Sequence, residues 1–192
     1  MPKKGNKKKG KSAAKAGSGN GGGVSLQPCS PIFRNCTITQ NSCTGNGGGV
    51  FAIHLAEGAP WARADVKLID CTIIGNEAQD GGGMFSSSNG YFDGCQPSLV
   101  GCVVTENTAA NGVGGIRHAT GPGQTTVVNS IICGNVPVQI SGPIELYEDS
   151  CAFGNCLDED ADGVPDGCRD ADGILHGTIH SELLLVKLRK RK

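Results

Sequence analysis

"NCTITQNSCTGNGGGVF", Asn35–Phe51, sets a β-prone alternation against a run of glycines. Thr and Ile suit a pleated, half-buried strand, whereas consecutive glycines weaken one. The conflict resolves once the phrase is compared with the rest of the chain. "NCTITQN" (Asn35–Asn41) returns as "DCTIIGN" (Asp70–Asn76), "GCVVTEN" (Gly101–Asn107), "NSIICGN" (Asn129–Asn135) and, more faintly, "DSCAFGN" (Asp149–Asn155). The glycine phrase follows the first three, as "GGGVF" (Gly47–Phe51), "GGGMF" (Gly81–Phe85) and "VGGIR" (Val113–Arg117). Equivalent second positions lie 35, 31, 28 and 20 residues apart, so a constant unit carries variable insertions after its glycines.

A unit of this length with short strands and no helical period fits one coil of a parallel β-solenoid. Three columns stay apolar or small: Phe33, Leu68, Leu99, Val127, Tyr147; Cys36, Cys71, Cys102, Ser130, Ser150; and Ile38, Ile73, Val104, Ile132, Ala152. Stacked about 4.8 Å apart, like residues would bury one another in interior ladders. That is how a chain with only 4% aromatics builds a core. Asn41, Asn76, Asn107, Asn135 and Asn155 form a further column, read as left-handed corner residues whose amides bond along the stack. The glycines are read as a second corner, too tight for a Cβ.

Around this body the composition changes sharply. The 192 residues include 31 glycines and a net charge of -1, yet only five of the 17 basic residues lie between the two tails. The expected organisation is a disordered basic arm at 1–23, the repeats at 24–155, an Asp-rich loop at 156–173 and a basic tail at 174–192. The arm has no apolar run after its lysines, hence no recognisable signal peptide. Such an arm holds phosphate backbones through counterion release, but no aromatics interleave the lysines, which argues against nucleic acid. "LLLV" before "KLRKRK" is far short of the roughly 20 apolar residues of a membrane span.

The repeat phrases resemble two related groups: right-handed β-helix repeats of large secreted planctomycete-type bacterial proteins, and repeats of the chlamydial polymorphic outer-membrane proteins. The resemblance runs from about Pro31 to Asn155. It implies an all-β, right-handed parallel β-helix of about four to five coils, exported or at the cell surface, acting as adhesin, stalk or passenger. Its partners would be surface glycans or another surface protein.

"CLDEDADGVPDGC", Cys156–Cys168, alternates three aspartates, then a glycine, then Asp166. That spacing lets a turning loop converge hard oxygen ligands on calcium, which would also relieve the repulsion among the carboxylates. Cys156 and Cys168 bracket the loop and are the expected disulfide. The spacing is similar to thrombospondin type 3 and dockerin-like calcium loops. Carried over from that resemblance, Asp158, Asp160, Asp162 and Asp166 are side-chain ligands and Val164 a backbone one. Arg169 stands where an EF-hand has its bidentate acid. The stacked Cys36, Cys71 and Cys102 point the same way, poor geometry for a disulfide, and are read as buried small apolar residues.

No catalytic residues are expected. Asp65, Asp70, Asp80, Asp93, Arg63, Lys67, Arg117 and His118 do not form the paired-carboxylate arrangement that sugar hydrolysis needs. The histidines are read as surface loop residues. Trp61 in the first insertion, with Tyr91 and Phe92 at the matching place one unit later, is the candidate ligand face, since loop aromatics stack on sugar rings. The alternative reading is therefore a carbohydrate-binding or polysaccharide-cleaving, pectate lyase-like β-helix using the loops after the glycines.

Overall fold

The computed structural model describes residues 19–27, 29–54, 64–88, 94–119, 121–147 and 150–153, excluding the side chains of 151–153. The described chain is all-β, without a helix, and its strands are short. The first repeat contributes β1 (Val24–Leu26), β2 (Ile32–Arg34) and β3 (Thr37–Thr39). The second contributes β4 (Val50–His54), β5 (Lys67–Ile69), β6 (Thr72–Ile74) and the two-residue β7 (Glu77–Ala78). The third follows with β8 (Met84–Ser88), β9 (Ser98–Val100), β10 (Val103–Thr105) and β11 (Thr108–Ala109). Next come β12 (Ile116–His118), β13 (Thr125–Val128) and β14 (Ile131–Cys133), then β15 (Ile140–Ser141), β16 (Ile144–Tyr147) and β17 (Cys151–Phe153).

No strand pairs with its neighbour in sequence. Each pairs in parallel with its equivalent one repeat away, giving three five-stranded sheets, β1-β4-β8-β12-β15, β2-β5-β9-β13-β16 and β3-β6-β10-β14-β17, and the two-stranded β7-β11. The decisive register runs Ile38, Ile73, Val104, Ile132, Ala152 in single file, as read from the sequence. Ile73, Val104 and Ile132 are wholly buried, as are Leu68, Leu99 and Val127 of the neighbouring file. Fully burying one such side chain is worth about 1.5–3 kcal/mol. That file closes on Leu146 rather than on the expected Tyr147. Tyr147 pairs with Val128 one position on and is 49% exposed, because one residue of register reverses the face on which a side chain emerges.

The corners are built differently from the expectation. The asparagines are not the left-handed residues. The residue before each is: Gln40, Gly75, Glu106 and Gly134, with φ of 54, 65, 57 and 62°. A second left-handed series, Asn35, Asp70, Gly101 and Asn129, turns the chain from one sheet into the next. Released from that duty, the asparagine side chains point inward and bond along the stack, as expected. Asn76 Oδ1 accepts from Asn41 N at 3.0 Å and Asn41 Nδ2 at 2.9 Å. Asn107 Oδ1 receives the same two bonds from Asn76, at 2.9 Å each. Asn135 Oδ1 continues the series from Asn107 at 3.0 and 2.9 Å. Gln139 then closes it, its Oε1 accepting from Asn135 Nδ2 at 2.8 Å.

The Cys/Ser file does more than fill space. Each of its members after a left-handed residue donates to the carbonyl two residues back: Cys36 Sγ to Arg34 O at 3.2 Å, Cys71 Sγ to Ile69 O at 3.2 Å, Ser130 Oγ to Val128 O at 2.8 Å. A thiol or hydroxyl thus ties the corner that the left-handed residue opens. Cys36, Cys71 and Cys102 are free thiols, as the parallel geometry predicts. Sharing its hydrogen bond with Cys71, together with burial, pushes the Cys102 thiol up. Cys133 is disulfide-bonded.

Candidate functional site

The insertions that follow the glycines leave from one edge of the β4-β8-β12 sheet. His54 and Ser88, the last residues of β4 and β8, are register partners. The described residues that precede 55–63 and 89–93 therefore lie side by side. Those that follow also lie side by side: Cys95 Sγ donates to Ala64 O at 3.0 Å, Asp65 Oδ1 accepts from Gln96 N at 2.7 Å, and Ser98 N donates to Val66 O at 2.9 Å. The next connection joins them, since Ala119 N donates to Ser86 O at 2.7 Å. Burial, with the neighbouring Asp65 charge, pushes the Cys95 thiol up to about 12, so it is no nucleophile at neutral pH.

Beneath these roots lies a second buried polar cluster, separate from the amide ladder. Ser86 Oγ lies 3.0 Å from His118 Nδ1 and 3.2 Å from Thr125 Oγ1, and Thr125 Oγ1 lies 2.9 Å from the same Nδ1. His54 Nδ1 lies 3.3 Å from Ser88 Oγ. Both histidines are only 1% exposed, and their Nε2 atoms are buried without a hydrogen-bond partner. A Ser–His pair of this kind suggests nucleophilic catalysis, but Ser86 is wholly buried and its hydroxyl faces His118, Thr125 and the Arg117 carbonyl inside the wall. Chemically, the cluster is a polar plug.

The histidines were expected on surface loops, and the strands correct that. In "VFAIH" (Val50–His54) the alternation sends Val50 and Ala52 inward, so His54 follows them. Ile116 sends His118 inward in the same way. Strand parity was the signal that could have identified both, and with them Ser86 and Ser88.

Of the charged residues weighed for catalysis, Asp65 and Asp80 hold backbone amides. Asp80 Oδ1 accepts from Gly81 N at 2.9 Å and Val113 N at 2.7 Å, and Asp80 Oδ2 lies 3.5 Å from Arg117 Nε. Arg117 also donates from Nη1 to Ser141 Oγ at 2.7 Å. Trp61, Tyr91 and Phe92 lie outside the described residues, as do Arg63, Asp93, Cys156, Cys168 and the calcium-ligand candidates Asp158, Asp160, Asp162, Val164 and Asp166. Among the described residues no group of three or more His, Cys, Asp or Glu is arranged to hold a metal. No described helix is long and apolar enough to cross a membrane. Compared with protein-family models, curated protein sequences and solved structures, the chain matches none.

The buried imidazole makes stability depend on pH. Burial, then the nearby Arg117 charge, lowers the His118 pKa from its ordinary 6.5. Between the lowered folded value and the unfolded one, the unfolded chain binds more protons, so stability rises with pH. The contribution is fully present above about pH 6.5 and is lost as pH falls through the folded value. Melting temperatures recorded from pH 7.5 to pH 5 should fall, and His118→Asn should flatten that slope. An unchanged slope in the variant would exclude His118 as the titrating group.

Proposed function

We propose that the chain is a right-handed parallel β-helix of four to five coils, serving as a non-catalytic structural or adhesive segment of an exported or cell-surface protein. The observation that carries this reading is the wholly buried file of Ile73, Val104 and Ile132, beside an unbroken amide ladder. So much of each repeat is committed to its neighbours that the described carboxylates Asp65 and Asp80 bind backbone amides. The repeat phrases that resemble secreted β-helix proteins support the same location.

In this reading the loop at 156–173 is a structural calcium site with Asp158, Asp160, Asp162 and Asp166 as ligands and Val164 adding a carbonyl. Its donors are hard oxygens, the set that calcium takes. Calcium at a hundred times its Kd should raise the melting temperature by roughly 5–10 °C, and Asp160→Ala should abolish the rise. A melting temperature indifferent to calcium in both proteins removes the site from the proposal.

The paired roots of the insertions favour a second reading, in which Trp61, Tyr91 and Phe92 form a sugar-stacking face on adjacent loops. Binding on a glycan array that disappears with Trp61→Ala would convert the scaffold into a carbohydrate-binding one. Equal signals from both proteins would exclude Trp61 from any such face.

A further inference from the structure

The two ends of the stack differ from its middle in one respect. The large hydrophobic side chains exposed among the described residues are Ile32, Val136, Val138, Leu146 and Tyr147. Ile32 is on the first repeat, and the other four lie after the last interior strand, β14. In the file that begins with Ile32, the following members are Lys67, Ser98, Thr126 and Glu145. An apolar residue, 58% exposed, therefore stands on the edge strand, where a charge would normally discourage pairing. Lys67, Ser98 and Thr126 lie on interior strands, and Glu145 lies on the opposite edge strand.

Among the described residues, backbone pairing at each end is open. β1, β2 and β3 each pair on one side only, as do β15, β16 and β17. At the first end a cavity of about 300 Å³ opens between these strands, lined among others by Val24, Phe33, Cys36, Ile38 and Asn41.

We infer that this end receives the opposite end of a second copy of the chain, so that the three parallel sheets run on from one molecule into the next. The repeat register fixes what would meet. Carried one step beyond β16, it places Phe33 of the second copy on Leu146, Ile32 on Glu145 and Arg34 on Tyr147. Tyr147 already donates its hydroxyl to Glu145, so the Arg34 guanidinium meets both an aromatic face and a carboxylate. Carried beyond β15, the register puts Val24 on Ile140 and Ser25 on Ser141. The apolar file continues through Phe33 on Leu146, Ser25 meets Ser141, and Arg34 gains a carboxylate partner. Gln139 closes the amide ladder, so the three strand ladders cross the junction and the amides do not.

All internal pairs are parallel, and preserving that sense requires first end against last end. Such a contact is heterologous and leaves a free end on each product, giving an open polar chain. The inference rests on stacked repeats and is independent of any adhesive role.

Two blocked variants test it, with the full-length chain and sedimentation velocity as readout. Ile32→Asp with Arg34→Glu blocks the first end by placing acids opposite Glu145. Leu146→Asp blocks the last end by placing a carboxylate on Phe33. The substituted residues are exposed or partly exposed, and unchanged circular dichroism and melting temperature will confirm that both variants fold. The wild-type mass should grow with concentration, each variant alone should remain a monomer, and their equimolar mixture should yield a 1:1 dimer and nothing larger. A wild type that stays monomeric at high concentration overturns the proposal. So does a Leu146→Asp variant that dimerises alone, which would indicate first end against first end. Association unaffected by either block assigns it to another surface and overturns it equally.

Discussion

Gly48→Ala should destabilise the protein by at least about 4 kcal/mol, a loss beyond that of most single substitutions. A Cβ at this position would lie 2.5 Å from Glu77 O and 2.6 Å from Gly82 O, both backbone atoms of the neighbouring repeat. Neither oxygen can move without separating two stacked strands. Gly75→Ala is the informative comparison. Its φ of +65° strains a side chain, but the space around it holds nothing nearer than Gln40 Cγ at 3.9 Å. Left-handed strain alone costs roughly 1–2 kcal/mol. Urea unfolding followed by circular dichroism should therefore rank Gly48→Ala well below Gly75→Ala. Equal losses would mean that the glycines serve chain conformation and not the close approach of repeats. With total stabilities of about 5–15 kcal/mol, the first substitution alone would bring the fold to the edge of unfolding.

Asn107→Leu should lose about 3 kcal/mol, the effect of leaving buried donors and acceptors unpaired. Asn107 is wholly buried, and its side chain accepts from Asn76 N and Nδ2 while donating to Ile73 O at 3.0 Å and Asn135 Oδ1 at 2.9 Å. Leucine matches the volume and makes none of these bonds. Asn111→Leu, at an exposed position, should change stability by no more than about 0.5 kcal/mol. Chemical denaturation of the two variants side by side measures the difference. A similar small loss in both would show that the amide file is a passenger of the apolar one.

The repeated phrases made much of this legible. Like residues at like offsets determined which strands pair and which side chains share a file, because a period of two leaves each strand only two faces. Two details were lost. The Phe33 column stands at a constant count before each asparagine, and in the last unit that count overshoots by one and lands on Tyr147 instead of Leu146. The asparagines were also expected to take the left-handed turn that Gln40, Gly75, Glu106 and Gly134 take. Glutamine and glutamate are poor residues for that conformation, so propensity pointed to the wrong neighbour. The buried histidines were missed for a different reason. Their chemistry argues for solvent, and only parity along "VFAIH" and "IRH" argues against it. Trp61, Tyr91 and Phe92 lie outside the described residues; what was legible there is the matched strand ends His54 and Ser88, because like strands end at like positions, whereas nothing in the insertions repeats.

The amide file has a consequence for how such a molecule changes length. Each asparagine gives hydrogens to the next and takes them from the one before, so every link in the series is interchangeable. Excising the 31 residues that separate Asn76 from Asn107 would leave Asn41 facing an equivalent acceptor, with no orphaned amide. Duplication or loss of whole units by recombination is therefore close to neutral for the interior, while any shift by part of a unit is not. Inheritance can add or remove stacked strands only in whole repeats, while the insertions after the glycines are left free to vary in length.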